Sequence, residues 1–444
     1  MIAAALLAAT TLSGCAAVSR PGGYSDTLFV LMRTQADLSD VTSIADVKER
    51  RAEVYRRLVT TADRTQAALR RDLADLYLPF TPFYVVNALE VEGNAAIQAW
   101  LLRRPEVDRV LLSPQLRPVP TVPAPQADRV EVDGRPQPNI AAIGADRVWV
   151  TGVTGPGITI GIADSGVDRY HPALAGAFRG GSDGWYDPWN GTRVPTDESG
   201  HGTHIIGTAV GSNGIGVAPG AKWIGCVDLP GNLGNPAGYL RCLQFMLAPF
   251  PYGGDPLRDG RPDRSADILV NSWACAQPES CDAGSLRPAI RALNLAGILV
   301  VAAPGGGGGP RCGSVGAPPT RLPDMLTVGA FDPAAPVASS PSRGLLSAAG
   351  RPDLVAPGVD VVSALPGRRY GALSGTSVAA PQVAGVVALL WAANPRLVGD
   401  LVRTRQLLLT TATPVPGGPG CGGHTEVPVG LVNAEAAVGA ARSQ

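Results

Sequence analysis

Ile158 to Gly166 reads ITIGIADSG. Small and β-branched residues run without a charge until Asp164, and a Ser-Gly turn signal follows. A strand covered on both faces reads this way, continuously apolar where a half-exposed strand would alternate. Four later runs share the texture: KWIGCVD from Lys222, ADILVNSW from Ala266, ILVVAA from Ile298 and MLTVGAF from Met325. Helical stretches separate them, and such an alternation implies an α/β fold, a parallel sheet with helices on both faces. Reactive groups in these folds gather beyond the carboxyl ends of the strands. Asp164 stands at one such end, and a glycine tract, Gly305 to Gly309, follows another.

The chain has 444 residues, 45% of them hydrophobic. That supports a large core and, at roughly 150 residues per domain, two or three domains. Acidic and basic residues balance to zero formal charge with no long basic block, so no nucleic-acid footprint is present. The N-terminus, MIAAALLAATTLSGCAAVSR, is apolar up to Leu12 and shorter than the roughly 20 apolar residues a membrane span needs. It reads as an export signal over residues 1–15, and Leu-Ser-Gly-Cys resembles the lipobox that leaves a lipidated cysteine, here Cys15. No Lys or Arg precedes the apolar run, so an ordinary signal peptide or a different start are the alternatives. The expected location is the cell envelope, through a lipid anchor in the membrane, or outside the cell.

Six further cysteines, Cys226, Cys242, Cys275, Cys281, Cys312 and Cys421, are an even number suited to an oxidising compartment. Short separations favour Cys226 with Cys242 and Cys275 with Cys281, which leaves Cys312 with Cys421. No CxxC pair and no interleaved histidines support zinc. Residues 16–26 form a linker. Residues 27–113 read as a small α+β unit: strand LFVLM, a helix from Asp46 to Tyr77, strand FYVVNALEVEG, helix NAAIQAWLLRRP and strand VDRVLLS. The proline-rich residues 114–138 are an extended linker, and residues 139–444 carry the α/β pattern.

Four histidines exist. His201 and His204 lie in SGHGTHIIGTAVG, a helix with small residues suited to tight packing; His171 and His424 stand in loop-like contexts. No glutamate lies between His201 and His204, so the HExxH metalloprotease helix is excluded. In YGALSGTSVAAPQVAGVVALLWAANP an apolar helix runs from Val378, with Pro381 in its first turn. Ser377 then lies at a helix amino end, where it reads as a cap or as a nucleophile beside NH groups that would stabilise an oxyanion.

GIADSG, SGHGTH and GTSVAAP supply Asp, His and Ser in that order. With GVAPGAKWIGC, NSWACAQPESC, RPDLVAPGV and GLVNAEAAV, they make the chain resemble the subtilisin-like serine peptidases, the subtilases of the S8 family, and within them the bacillopeptidase F type. FYVVNALEV and PEVDRVLL resemble the family's inhibitor-like prodomain. The resemblance implies a subtilisin-like parallel sheet preceded by a small ferredoxin-like prodomain. It implies a serine endopeptidase acting on protein or peptide substrates with no cofactor needed for the chemistry: Ser377 as nucleophile, His201 as base and Asp164 as its orienting acid. It further implies that Ser272, Trp273 and Ala274 form the edge against which substrate backbone pairs, although Trp273 also reads as core. The chain's own prodomain becomes a partner.

One departure is visible. The family's oxyanion asparagine follows the ILVVAA strand, and its position falls on Gly306; no asparagine occurs between Asn294 and Asn394. Three accounts follow: a peptidase with a substitute donor, a weakly active or inactive surface binding module that keeps the triad, or an unrelated α/β protein. The intact triad favours the first. Loop carboxylates Asp183, Asp187 and Asp197 are candidates for structural calcium, although scattered aspartates are usually only solvated.

Overall fold

A computed structural model describes residues 27–113, 130–229, 235–273, 283–303, 324–332, 352–415 and 429–444. The N-terminal unit comprises β1 (Thr27–Met32), α1 (Val47–Asp75), β2 (Phe80–Phe83), β3 (Ala88–Glu92), α2 (Ala95–Leu101) and β4 (Val107–Leu112). Its antiparallel sheet has the order β2-β3-β1-β4, the ferredoxin-like arrangement. Asp46 and Asn94 cap α1 and α2, each accepting two NH groups of the first turn.

FYVVNALEVEG is expected as one strand, yet the chain turns back at Tyr84–Asn87 to make a β2–β3 hairpin. An apolar turn is tolerated because it is not at the surface. Tyr84, Val85 and Val86 are buried, and the NH groups of Tyr84 and Val85 donate to Gln244 Oε1 of the larger domain at 2.6 and 3.3 Å. Tertiary contact supplies partners that a strand ladder would otherwise have supplied.

The larger domain begins with α3 (Pro138–Ala142), α4 (Ala145–Trp149), β5 (Thr159–Asp164), α5 (Pro172–Ala175) and β6 (Trp185–Tyr186). It continues through α6 (His201–Val210), β7 (Lys222–Val227), α7 (Pro236–Leu247), β8 (Ile268–Asn271), α8 (Ala283–Leu295), β9 (Leu299–Ala302) and β10 (Leu326–Phe331). Then come β11 (Leu354–Pro357), β12 (Val361–Leu365), β13 (Arg369–Leu373), α9 (Thr376–Ala393), α10 (Leu401–Thr411), β14 (Thr413–Val415), β15 (Val429–Leu431) and α11 (Ala434–Arg442). All five strands expected from sequence are present. Among the described residues the main sheet runs β14-β15-β11-β10-β9-β8-β5-β7-β6 and is parallel except at the β14–β15 edge. Alternate side chains face opposite layers: Ile160, Ile162, Val270 and Val301 meet α6 and α9, while Ala163, Leu269, Val300 and Ala302 meet α7 and α8.

The Cys226–Cys242 disulfide ties β7 to α7 across a separation of 16 residues, worth roughly 3 kcal/mol by loop closure. The other two expected pairs, and Cys15, lie outside the described residues. Helix α9 is apolar and long enough to cross a membrane by length and composition, but most of it is buried in the core. It starts two residues before the expected Val378, which puts Pro381 inside the helix and not in its first turn. Proline has no NH for the carbonyl four residues back. That carbonyl is Ser377's, and Ser272 Oγ donates to it at 3.0 Å.

Candidate active site

Asp164 ends β5 and is buried. Its Oδ1 accepts the Ser165 NH at 2.7 Å and His201 Nδ1 at 2.7 Å, so the imidazole carries its proton on Nδ1 when neutral and keeps a lone pair on Nε2. His201 is the first residue of α6, and 26% of its side chain is exposed. The helix can come this close because Gly202 has no side chain: a Cβ there would lie 2.2 Å from Gly166 O.

Ser377 is the second residue of α9, partly exposed, and its NH belongs to the first helical turn, which lacks intrahelical partners. The preceding Gly375 has φ 147° and ψ 172°, a conformation open essentially only to glycine. Helices α6 and α9 pack against each other, which brings their amino ends to one side of the sheet. Among the described residues His201 bonds to Asp164, and no hydrogen bond joins it to Ser377 Oγ. Such contacts are often long in a free enzyme and tighten with substrate.

The two histidines of α6 differ in electrostatic setting. Burial of His201 opposes its charged form, but the charge and hydrogen bond of Asp164, aided by the charge of Asp197, outweigh it and raise its pKa above the ordinary value. Burial, with the repulsion of His201, lowers His204 to about 3, while its Nε2–H donates to the carbonyls of Val361 and Gly371. His204 is a neutral structural histidine. His171 is likewise lowered by burial, accepting from the Ala173 NH and donating to Arg369 O.

Asp197, one of the calcium candidates, is held by protein donors on two segments. Its Oδ1 accepts from Ser165 Oγ, the Ser199 NH and the Gly200 NH, and its Oδ2 accepts from the NH and Oγ1 of Thr203. Ser165 Oγ in turn accepts the Gly202 NH at 2.9 Å. This carboxylate therefore fastens the loop that carries His201 to the turn that carries Asp164. Its position four residues before His201 was the available signal.

The other calcium candidates are also engaged. Asp183 pairs with Arg261 and Arg264, and Asp187 accepts from the NH groups of Trp189 and Asn190 and from Thr192 Oγ1. These oxygens already face protein donors and do not fit a calcium shell. Among the described residues no group of three His, Cys, Asp or Glu side chains could hold a metal.

Ser272 follows β8 and Trp273 is 6% exposed, its ring stacked on Tyr239 at 3.6 Å and its Nε1–H donating to Ala163 O. The Trp273 side chain is thus core, and the Asn271 amide holds its carbonyl. Ala274 and Gly306 lie outside the described residues.

Residues 155–433 match the profile of the peptidase S8 group, described as the subtilase family. The chain belongs to the subtilase family. This subtilase is 32% identical over 434 residues to bacillopeptidase F of Bacillus subtilis, an alignment covering 88% of the chain and 29% of that protein. It is 32% identical over 266 residues to subtilisin E of Bacillus subtilis, covering 58% of the chain and 61% of subtilisin E. M-protease of Shouchella clausii is 33% identical over 288 residues, with 64% of each chain covered. The subtilase thus spans under a third of bacillopeptidase F and under two thirds of the shorter relatives. The bacillopeptidase alignment is long enough to include much of the N-terminal unit, whereas the family profile starts after it.

Proposed function

We propose that this subtilase is an exported serine endopeptidase in which Ser377, His201 and Asp164 form the catalytic unit. The observation that carries the reading is the 2.7 Å bond between His201 Nδ1 and Asp164, set beside a helix whose second residue is Ser377. His201 Nε2 takes the proton from Ser377 Oγ as that oxygen attacks the substrate carbonyl, and returns it to the leaving amine. Asp164 fixes the tautomer and stabilises the imidazolium. The Ser377 NH and the amino end of α9 face the developing oxyanion. Ser272, by holding the Ser377 carbonyl, keeps that end of the helix in place, and the backbone groups of Ser272, Trp273 and Ala274 are the stretch offered to substrate.

The N-terminal unit acts as an inhibitory prodomain, cleaved within the 114–138 linker, with Cys15 as a lipid anchor that stays with it. The relatives named bacillopeptidase F and subtilisin support the reaction class. A fluorophosphonate probe tests it: labelling should fall on Ser377, and Ser377→Ala should remove both labelling and hydrolysis. Loss in turnover should be roughly a millionfold, the scale known for this serine in subtilisin itself. Peptidase activity that survives in Ser377→Ala would sink the assignment.

Gly306 gives a second reading some support, because a triad without the asparagine donor suits a binding module that hydrolyses little. In subtilisin that donor is worth about a hundred- to a thousandfold in turnover. Gly306→Asn should therefore raise kcat with little change in KM, with Gly305→Asn as the register control. No gain from either, in an enzyme already as fast as its relatives, would mean that another donor serves the oxyanion.

A further inference from the structure

Ser113 ends the N-terminal unit and is fully buried; residues 114–129 of the linker that follows lie outside the described residues. The Ser113 NH donates to Thr27 O at 2.9 Å, and its Oγ donates to Glu90 Oε1 at 3.1 Å. The other oxygen of that carboxylate, Oε2, accepts from Arg241 Nη2 of α7 at 2.7 Å, and the same nitrogen donates to Thr81 Oγ1 of β2 at 3.3 Å. The Glu90 side chain is 7% exposed, and a carboxylate so buried is costly unless it is paired and hydrogen-bonded, as this one is on both oxygens. Glu90 thus fastens the exit of one unit to a helix of the other.

The surroundings of Arg241 show where that exit lies. Strands β5, β7 and β8 are parallel, so Asp164, Val227 and Asn271 end them on one side of the sheet, with Ser272 just beyond. Cys242, the neighbour of Arg241, is bonded to Cys226 near the carboxyl end of β7. Tyr239, two residues before Arg241, stacks on Trp273 in the stretch offered to substrate. Farther along α7 the Met246 carbonyl accepts the NH of Ala266, which precedes β8, so the helix runs away from the reactive end. Arg241 therefore sits level with the carboxyl ends of the strands, and the chain that leaves Ser113 starts from there.

We propose that Glu90 is a positioning residue for the first, intramolecular cleavage, a role that rests on the N-terminal unit being a prodomain: by holding Ser113 against Arg241 it delivers the linker to the substrate edge in one register. A tethered segment reacts at an effective concentration set by where its tether is fixed. A loosened exit both slows cleavage and lets several bonds reach Ser377. Glu90 acts only through the chain it holds and takes no part in the hydrolysis of an added peptide.

The test follows self-processing of the full chain by gel and intact-mass spectrometry, alongside hydrolysis of a fluorogenic peptide by the processed enzyme. The wild type should process at a rate independent of protein concentration and at one bond within the 114–138 linker. Glu90→Ala should slow that step at least about tenfold and yield several new amino termini, while the processed enzyme keeps the wild-type kcat/KM on peptide. Glu90→Gln retains an acceptor for Ser113 Oγ and should restore the single amino terminus. Gln244→Ala loosens docking elsewhere on α7 and should slow processing without scattering it, which separates aiming from docking. If Glu90→Ala fails to fold, Ser113→Ala, which removes the hydroxyl that Glu90 holds, decides by the same readouts. A single amino terminus from a folded Glu90→Ala or Ser113→Ala chain, or wild-type processing that speeds up with protein concentration, would overturn the proposal. So would a wild type that hydrolyses peptide yet leaves its linker intact, and a chain inert toward both would overturn the peptidase reading with it.

Discussion

The two helical layers over the central sheet are completed in different ways. On one face α6 and α9 are sealed by the domain's own residues, with Trp391, Leu390 and Val383 fully buried. On the other, α7 and α8 share one apolar cluster with the N-terminal unit, which adds Phe29, Val54, Leu58 and Tyr84. Its polar contacts bracket the cluster: Tyr84 OH to Gln244 O at 3.0 Å, Arg241 to Glu90 at 2.7 Å, Arg51 to Asp267 at 2.9 Å and Arg258 to Asp63 at 2.6 Å. The layer that carries the reactive side chains is permanent. The layer that the N-terminal unit completes is built like an interface, an apolar cluster with ion pairs among its contacts, and under the proposed prodomain role it is the layer expected to separate.

The largest effect that would test this contrast concerns His204, in the permanent layer. Its folded pKa lies at about 3 against an ordinary 6.5, so its contribution is fully present above pH 6.5 and is lost as pH falls toward 3, because the unfolded chain takes the proton first. The raised pKa of His201 works in the opposite sense, stabilising below pH 6.5 and fading as pH rises through its folded value. Urea melts of Ser377→Ala between pH 8 and 4 should show an acid loss of several kcal/mol that His204→Gln reduces. Equal acid sensitivity in both would remove His204 as the cause.

Gln244→Ala probes the separable layer. It deprives the Tyr84 and Val85 NH groups of their acceptor, worth about 1–3 kcal/mol. By hydrogen exchange those amides should open roughly ten- to a hundredfold faster while amides of α6 and α9 keep their protection. Faster exchange throughout both layers would show that they melt as one unit.

The smallest effect is at Asp197. His201 must be neutral to act as a base, so activity rises as pH climbs through its raised pKa. Asp197→Asn removes one of the charges that raise it, after the larger influences of burial and Asp164. The acidic limb of kcat/KM should move to lower pH by less than about one unit, with KM little changed. An unmoved limb would reduce Asp197 to a loop fastener.

Much of this was legible because it rests on local pattern. Five apolar runs became the core strands, and the residue types at Asp164, His201 and Ser377 pointed to one chemistry before any geometry was known. The misreadings were of residues whose partners are distant in sequence. Tyr84–Asn87 looked like strand because its acceptor, Gln244, lies 160 positions away. Pro381 looked like a first-turn proline because the donor that replaces its missing NH is on Ser272. Asp197 looked like a solvated or metal-binding acid because its donors, Ser165 and Thr203, sit on two different segments.

By itself the sequence determined which segments are strands buried on both faces, which cysteines lie near enough to favour pairing, and which three residue types could act together, since these depend on local composition and order. Only the tertiary structure decided which histidine of α6 holds a proton more readily than an ordinary imidazole and which less readily. His201 and His204 are three residues apart in one helix; burial opposes the charge of both, but only His201 meets a carboxylate, Asp164 of β5, that outweighs it, while the carbonyls from β12 and β13 at His204 offset its burial only in part. A pKa follows the field and burial at a point in space, and neither is a property of adjacent residues.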